Sequence, residues 1–367
     1  RMQSARFAIF VLAFVAVASG CAPRGTLQSV PEDALPSVSR EIFIATNRAS
    51  SDGPQRRGRS EETRYLKYAV RIPSEHRPGN LRLAAGRPDP RRDFLYSERL
   101  AYERSEEFYE AIRRRLRGLS KDDREIVLYV HGFNNTFSEG VAQLAQMEHD
   151  LGLTGVGVHF SWPSAASPLG YAYDRDSVLF SRDALESLLR RLAKVSSGRV
   201  IVVAHSIGSQ LIMETLRQIE LGSAGWSQRN LRGVVLISPD IDVDVFRQQA
   251  SRIGKLPRPF FVFTSERDRV LGLSARITGE RNRLGTVTDP AQLSDLEITL
   301  INITNFSEGA GHFTVARSPA LIQILSRVAD LDETFDSDRS GRTGLLPGTV
   351  LTVRNVTEII VSPLTSN

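Results

Sequence analysis

The chain has 367 residues, 41% of them hydrophobic and 24% charged, with a formal net charge of +5. That length and apolar content are enough to bury the core of one large α/β domain with additions. The charge excess is mild, 5 − 2 = +3 once Arg1 and Arg6 leave with a leader, and the arginines at 113–115 and 190–191 alternate with Glu and Leu at helical spacing. Such spacing describes a solvated helix face and excludes a nucleic-acid surface as partner.

The first element is an unbroken apolar run at 7–18 behind Arg6, followed by Ser19-Gly20-Cys21. These are the parts of a secretory signal, and the run is short of the roughly 20 residues that span a bilayer of about 30 Å. Cys21, the one cysteine of the chain, follows Ala18-Ser19-Gly20 in a pattern that resembles a bacterial lipobox. Residues 1–20 therefore read as a lipoprotein signal peptide and Cys21 as the lipidated new N-terminus, with an ordinary cleaved signal as the alternative. Lipidation predicts a membrane-anchored protein of the bacterial cell envelope. Ala22 after the cysteine then points to the periplasmic face of the outer membrane in a two-membrane host.

Residues 21–39, rich in Pro, Ser and Gly, read as a flexible tether, and the globular domain is expected over 40–332. Runs at 41–45 and 65–72 predict an antiparallel edge. Apolar runs at 125–130, 155–160, 199–204, 231–237, 259–263 and 297–303 predict strands, and the spacing between them predicts helices at 138–151, 177–195, 209–221 and 243–253, with another at 319–331. Strands apolar on both faces and separated by helices imply a mainly parallel central sheet covered on both faces, an α/β fold. Residues 333–367 form a C-terminal tail in which 350–361 is either an extra edge strand or flexible.

Chemistry enters at Ala204-His-Ser-Ile-Gly208, where a β-branched run meets an amphipathic segment with small residues two positions either side of Ser206. This is the strand–turn–helix signature of a nucleophile elbow, with Ala204 in place of the more usual glycine. A serine hydroxyl needs a base, a carboxylate to orient that base, and donors for the oxyanion. Downstream of Ser206 only His312 can serve as base. Asp268, just past the penultimate strand, is the leading acid, with Asp240 and Asp242 as alternatives and helix capping as the bland explanation for one of these. The loop Val130-His-Gly-Phe-Asn-Asn135 supplies the Phe133 amide, which pairs with the Ile207 amide as an oxyanion hole. His131 reads as an orienting residue, and His149, His159 and His205 as structural. No histidine or cysteine spacing matches a metal motif, so neither metal nor cofactor is expected. The aromatic stretch 162–173 either lines an acyl pocket or covers the core.

With these elements in order, the chain resembles an α/β-hydrolase over about 40–330. More narrowly, it is similar to a bacterial family of uncharacterised, lipobox-bearing, esterase-like α/β-hydrolases built on a domain of unknown function. The segments that carry the resemblance are Ile44-Ala-Thr-Asn-Arg48, Val130-His-Gly-Phe-Asn134, Phe160-Ser-Trp-Pro-Ser164, Ala204-His-Ser-Ile-Gly208, Ser238-Pro-Asp-Ile-Asp242 and Gly311-His312. The resemblance implies a Ser/His/Asp serine hydrolase acting on an ester or lipid substrate at the envelope. A thioesterase or acyltransferase would use the same triad, and a non-catalytic binding scaffold is the reading from a different class.

Overall fold

The computed structural model describes residues 24–31, 37–49, 58–279, 282–306, 348–353 and 356–361. The signal segment with Cys21, the expected helix at 319–331 and His312 lie outside the described residues.

In chain order the strands are β1 (Gln28–Ser29), β2 (Ser39–Arg48), β3 (Arg59–Arg71), β4 (Leu95–Tyr102), β5 (Ile126–Val130), β6 (Val156–Ser161), β7 (Val200–His205), β8 (Leu231–Ile237), β9 (Phe260–Thr264), β10 (Thr299–Asn302), β11 (Gly348–Val353) and β12 (Val356–Val361). The helices are α1 (Ser105–Arg117), α2 (Phe137–Asp150), α3 (Tyr171–Phe180), α4 (Arg182–Ser196), α5 (Ile207–Gly222), α6 (Trp226–Asn230), α7 (Val243–Ile253) and α8 (Arg269–Thr278). All twelve described strands form one sheet in the order β1-β4-β3-β2-β6-β5-β7-β8-β9-β10-β12-β11. From β2 through β10 to β12 neighbours run parallel, while β3 is antiparallel to both β2 and β4. Among the described residues no helix is long and apolar enough to cross a membrane.

Alternation along the central strands divides the core. Ile126, Leu128 and Val130 of β5 point to the face covered by α1, α4, α5 and α7, with Phe108, Leu189, Ile212 and Phe246 among the side chains that meet them. Val127 and Tyr129 point to the other face, under Val141, Leu144 and Ala145 of α2. Strands buried on both faces need no polar alternation, which is why their sequences are continuous apolar runs.

Two expectations are corrected. Residues 24–31 are not a free tether: Thr26 bridges Ala84, Leu27 is buried, and β1 pairs parallel with β4. The physical reason is the open edge of β4, whose unpaired backbone groups the segment covers. The single helix expected at 177–195 is two, α3 and α4, meeting at buried Ser181, whose hydroxyl accepts a hydrogen bond from Asn47 at 3.0 Å. Beyond β10, residues 348–353 and 356–361 add β12 parallel to β10 and β11 antiparallel to β12.

Candidate active site

The chain leaves β5 for β6 on one side of it and then returns to form β7 on the other. This reversal makes the C-terminal ends of β5 and β7 a topological switch point, the place where open α/β sheets bind ligands. Ser206 sits there, between β7 and α5, with φ 53° and ψ −127°. A non-glycine residue held at positive φ costs about 1–3 kcal/mol and persists only where its surroundings impose it. Here they do. The Ser206 N–H donates to Ile237 O at 2.9 Å, and the Ser206 carbonyl accepts from the amides of Ser209 and Asp240. A Cβ on Gly208 would stand 2.3 Å from His131 O and 2.9 Å from Val130 O, so helix and strand touch through backbone alone. The Ser206 hydroxyl is buried and has no hydrogen-bond partner among the described residues. Ser238 Oγ, after β8, and Thr264 Oγ1, at the end of β9, are in the same condition.

The loop after β5 lies against the serine. A Cβ on Gly132 would come within 2.5 Å of His205 Nδ1 and 2.9 Å of Ser206 Cβ, which places the 132–133 backbone beside the nucleophile position and the first turn of α5. Downstream, Thr136 and Glu139 form a capping box that fixes the start of α2. The Thr136 hydroxyl accepts from the Glu139 N–H, and the Glu139 carboxylate accepts from the Thr136 N–H.

Beneath this loop lies a buried polar cluster absent from the expected site. The Arg48 guanidinium donates to Ser161 Oγ at 2.9 Å, Asn135 O at 2.9 Å and Ser164 O at 3.2 Å. Burial lowers its pKa to about 10, against the opposing pull of Asp174. Fully buried Asp174 accepts from the Ala165 amide at 2.6 Å, Ser164 Oγ at 2.7 Å and the Asn134 amide at 3.1 Å, while desolvation raises its pKa. Arg48 and Asp174 together clamp the 131–135 and 161–166 loops to one another. His131 belongs to the same support. Its ring stacks on Trp162 with centroids 4.5 Å apart and planes 12° apart, and its nitrogens reach Gly132 O and Trp162 O at 2.9 Å each. Burial, with the Arg48 charge, holds its pKa well below the usual 6.5. Trp162 is wholly buried, hence core, and the Tyr171 hydroxyl donates to Asp240. Leu169 in the same stretch is 96% exposed.

The three aspartates have different surroundings. Asp240 is committed: Oδ2 accepts from the Tyr171 hydroxyl at 2.7 Å, Oδ1 from Ser274 Oγ at 2.6 Å, and Arg283 Nε lies 3.5 Å away. Asp242 caps α7 through the amides of Asp244 and Val245. Asp268 is buried past the end of β9, where its Oδ1 accepts from the Leu271 amide at 3.1 Å. The structure thus brings Ser206, the Phe133 loop and Ile207 to one edge of the sheet and sets Asp268 two strands along it. His159 is wholly buried, with Nδ1 3.2 Å from Tyr129 O, and burial depresses its pKa to about 3. The expectation of no metal site rested on spacing along the chain, and among the described residues the fold gathers a cluster that spacing hides, His76 with His149 and Asp150.

Among solved structures the chain is similar to a hyperthermophilic esterase from Pyrobaculum calidifontis, with 14% identity, 58% of this chain and 77% of that chain covered, and a TM-score of 0.34. Fungal esterases from Rhizomucor miehei share 12% identity, with 82% of this chain and 85% of that one covered, at a TM-score of 0.35. A putative ydeN-like hydrolase from Pectobacterium atrosepticum shares 17% identity over 61% of this chain and 98% of that one, at 0.33. No curated protein matches the sequence. The family model of an alpha/beta hydrolase of unknown function (DUF900) matches residues 105–328, from α1 through the elbow and past His312, and the chain belongs to that family.

Proposed function

We propose that the protein is a serine hydrolase of carboxylic esters, with Ser206 as nucleophile, His312 as base and Asp268 as the carboxylate that orients it. The observation that carries this reading is the backbone of Ser206, held at positive φ at the sheet's switch point with a buried hydroxyl that has no partner among the described residues. Strain of this kind is retained where fixing a reactive group at the strand–helix turn repays it. In the reaction Ser206 Oγ attacks the ester carbonyl carbon and its proton passes to His312. The amides of Phe133 and Ile207 hold the oxyanion, and His312 returns the proton to the departing alcohol. Water then repeats the sequence on the acyl-enzyme. Asp268 is preferred as the acid for its place just past the end of β9, whereas Asp240 is held by Tyr171 and Ser274.

The proposal includes a lipid anchor at Cys21 and an envelope location. Arg24 donates to Asn134 Oδ1 at 2.7 Å and to Ala166 O at 3.2 Å, beside the oxyanion loop. A lipid anchor at the envelope favours esters drawn from a lipid surface.

The test is intact-mass and peptide mass spectrometry of the folded protein after exposure to a fluorophosphonate. One adduct on Ser206, lost in Ser206→Ala and strongly slowed in His312→Ala, is expected. A folded protein that forms no adduct would replace this reading with a binding scaffold.

A further inference from the structure

We propose that His76, His149 and Asp150 form a binding site for a divalent metal ion of the zinc class, at the opposite end of the fold from Ser206. Each of the three offers a ligand atom, and these atoms lie within 4.8 Å of one another. His76 Nε2 and Asp150 Oδ1 are 2.6 Å apart, and their side chains are 4% and 2% exposed. His149, the last residue but one of α2, turns its ring to that of His76 with centroids 5.5 Å apart, and its Nδ1 is buried with no hydrogen-bond partner among the described residues.

The donor set is two imidazoles and a carboxylate, which suits zinc and its neighbours, and three protein ligands with water in the fourth position make a tetrahedral open site. Bonds of about 2.0–2.2 Å put tetrahedral ligands roughly 3.3–3.6 Å apart. The present spacing reaches that range by a small parting of His76 from Asp150 and an approach of His149, with the ion replacing the proton that His76 and Asp150 share. The surroundings are arranged as metal sites require. Asp150 Oδ2 is oriented by the Gly79 amide at 2.9 Å and Gln146 Nε2 at 3.2 Å, which leaves Oδ1 for the ion. The His76 ring is set edge-on against Phe94, with centroids 5.2 Å apart.

The consequence is structural. Fourteen residues of α2 at 1.5 Å each separate this cluster from the oxyanion loop by about 20 Å, and the ion would tie the β3–β4 connection, which carries His76, to the end of α2. With a single cysteine the chain has no intramolecular disulfide to do this.

The full chain, stripped with a chelator, is titrated with Zn²⁺ against a chromophoric competitor, with native mass spectrometry for stoichiometry and thermal unfolding with and without Zn²⁺. One ion per chain, a rise in Tm on binding, and a loss of affinity of at least about tenfold in both His149→Gln and His76→Gln are expected, with fluorophosphonate labelling of Ser206 unchanged in His149→Gln. Wild-type protein that binds no Zn²⁺ saturably, or both variants binding as wild type does, overturns the proposal. If a variant fails to fold, the Co²⁺-loaded wild type decides: paramagnetically shifted imidazole signals from two histidines support the site, and their absence overturns it.

Discussion

Gly208→Ala tests the argument that close backbone approach builds the elbow. The added methyl would stand 2.3 Å from His131 O, 2.9 Å from Val130 O and 3.2 Å from His131 C. All three are main-chain atoms at the end of β5, so no side chain can swing aside. Restoring an ordinary contact requires α5 and β5 to part by about 1 Å, against a strand whose Val130 is paired in register with Ala204 and Phe160. Overpacking of a well-packed core costs about 1–3 kcal/mol, and an immovable neighbour puts this case near the upper end, about 3 kcal/mol. At roughly 2–4 °C per kcal/mol for a domain of this class, Tm falls by about 6–12 °C. The same displacement moves the Ile207 amide, and a 1 Å misplacement of a reacting arrangement costs about 10²-fold, to be read as the rate of fluorophosphonate labelling at a temperature well below the transition. Thermal unfolding and labelling kinetics of wild type, Gly208→Ala and Ala204→Gly form the assay, and Ala204→Gly, which relieves crowding, should label at a rate near wild type. An unchanged Tm with an unchanged labelling rate in Gly208→Ala would refute the reasoning.

Replacing Arg48 by Met removes the donors to Ser161 Oγ, Ser164 O and Asn135 O and the charge that opposes Asp174. A loss of about 3–5 kcal/mol, the usual result of breaking a buried charge cluster, should appear in denaturant unfolding, with slower labelling of Ser206 in the protein that remains folded. Asp268→Asn should slow ester turnover by the folded protein far more than Asp240→Asn, which should lower Tm through its bonds to Tyr171 and Ser274; the reverse order of turnover would make Asp240 the acid. Two buried groups give stability opposite dependences on pH. His159 titrates at about 3 when folded and 6.5 when unfolded, so the unfolded chain binds the extra proton between those values and stability falls as pH drops through that window. Buried Glu148 has its pKa raised to about 8 by desolvation, so the folded state holds the extra proton between 4.5 and 8 and stability falls as pH rises. Glu148→Gln should therefore flatten the alkaline limb, and His159→Gln the acid limb, of stability measured against pH.

Parallel strands were legible because burial on both faces demands unbroken apolar runs, and those at 126–130, 200–205 and 231–237 lie within a residue of expectation. The elbow was legible because a strand that turns at once into a helix admits only small residues at 204 and 208. Strand β4 and the pairing of β1 escaped, since an edge exposed to solvent carries polar residues such as Ser97, Glu98 and Arg99 that read as loop. Arg48, Asp174 and the His131–Trp162 stack escaped for another reason: their partners are distant in the chain, 83 residues for Arg48 and His131 and 40 for Asn134 and Asp174.

What the sequence by itself determined is therefore what local rules encode: the central parallel strands with most of the helices between them, the turn that strains Ser206, and the covered faces of the sheet. What only the tertiary structure decided is which distant side chains meet: that Asp240 is held by Tyr171 and Ser274, that Arg24 reaches Asn134, and that His76 lies beside His149 and Asp150. Periodicity records which face of an element is buried. The identity of a partner on another element depends on how the sheet orders its strands, which no interval along the chain expresses.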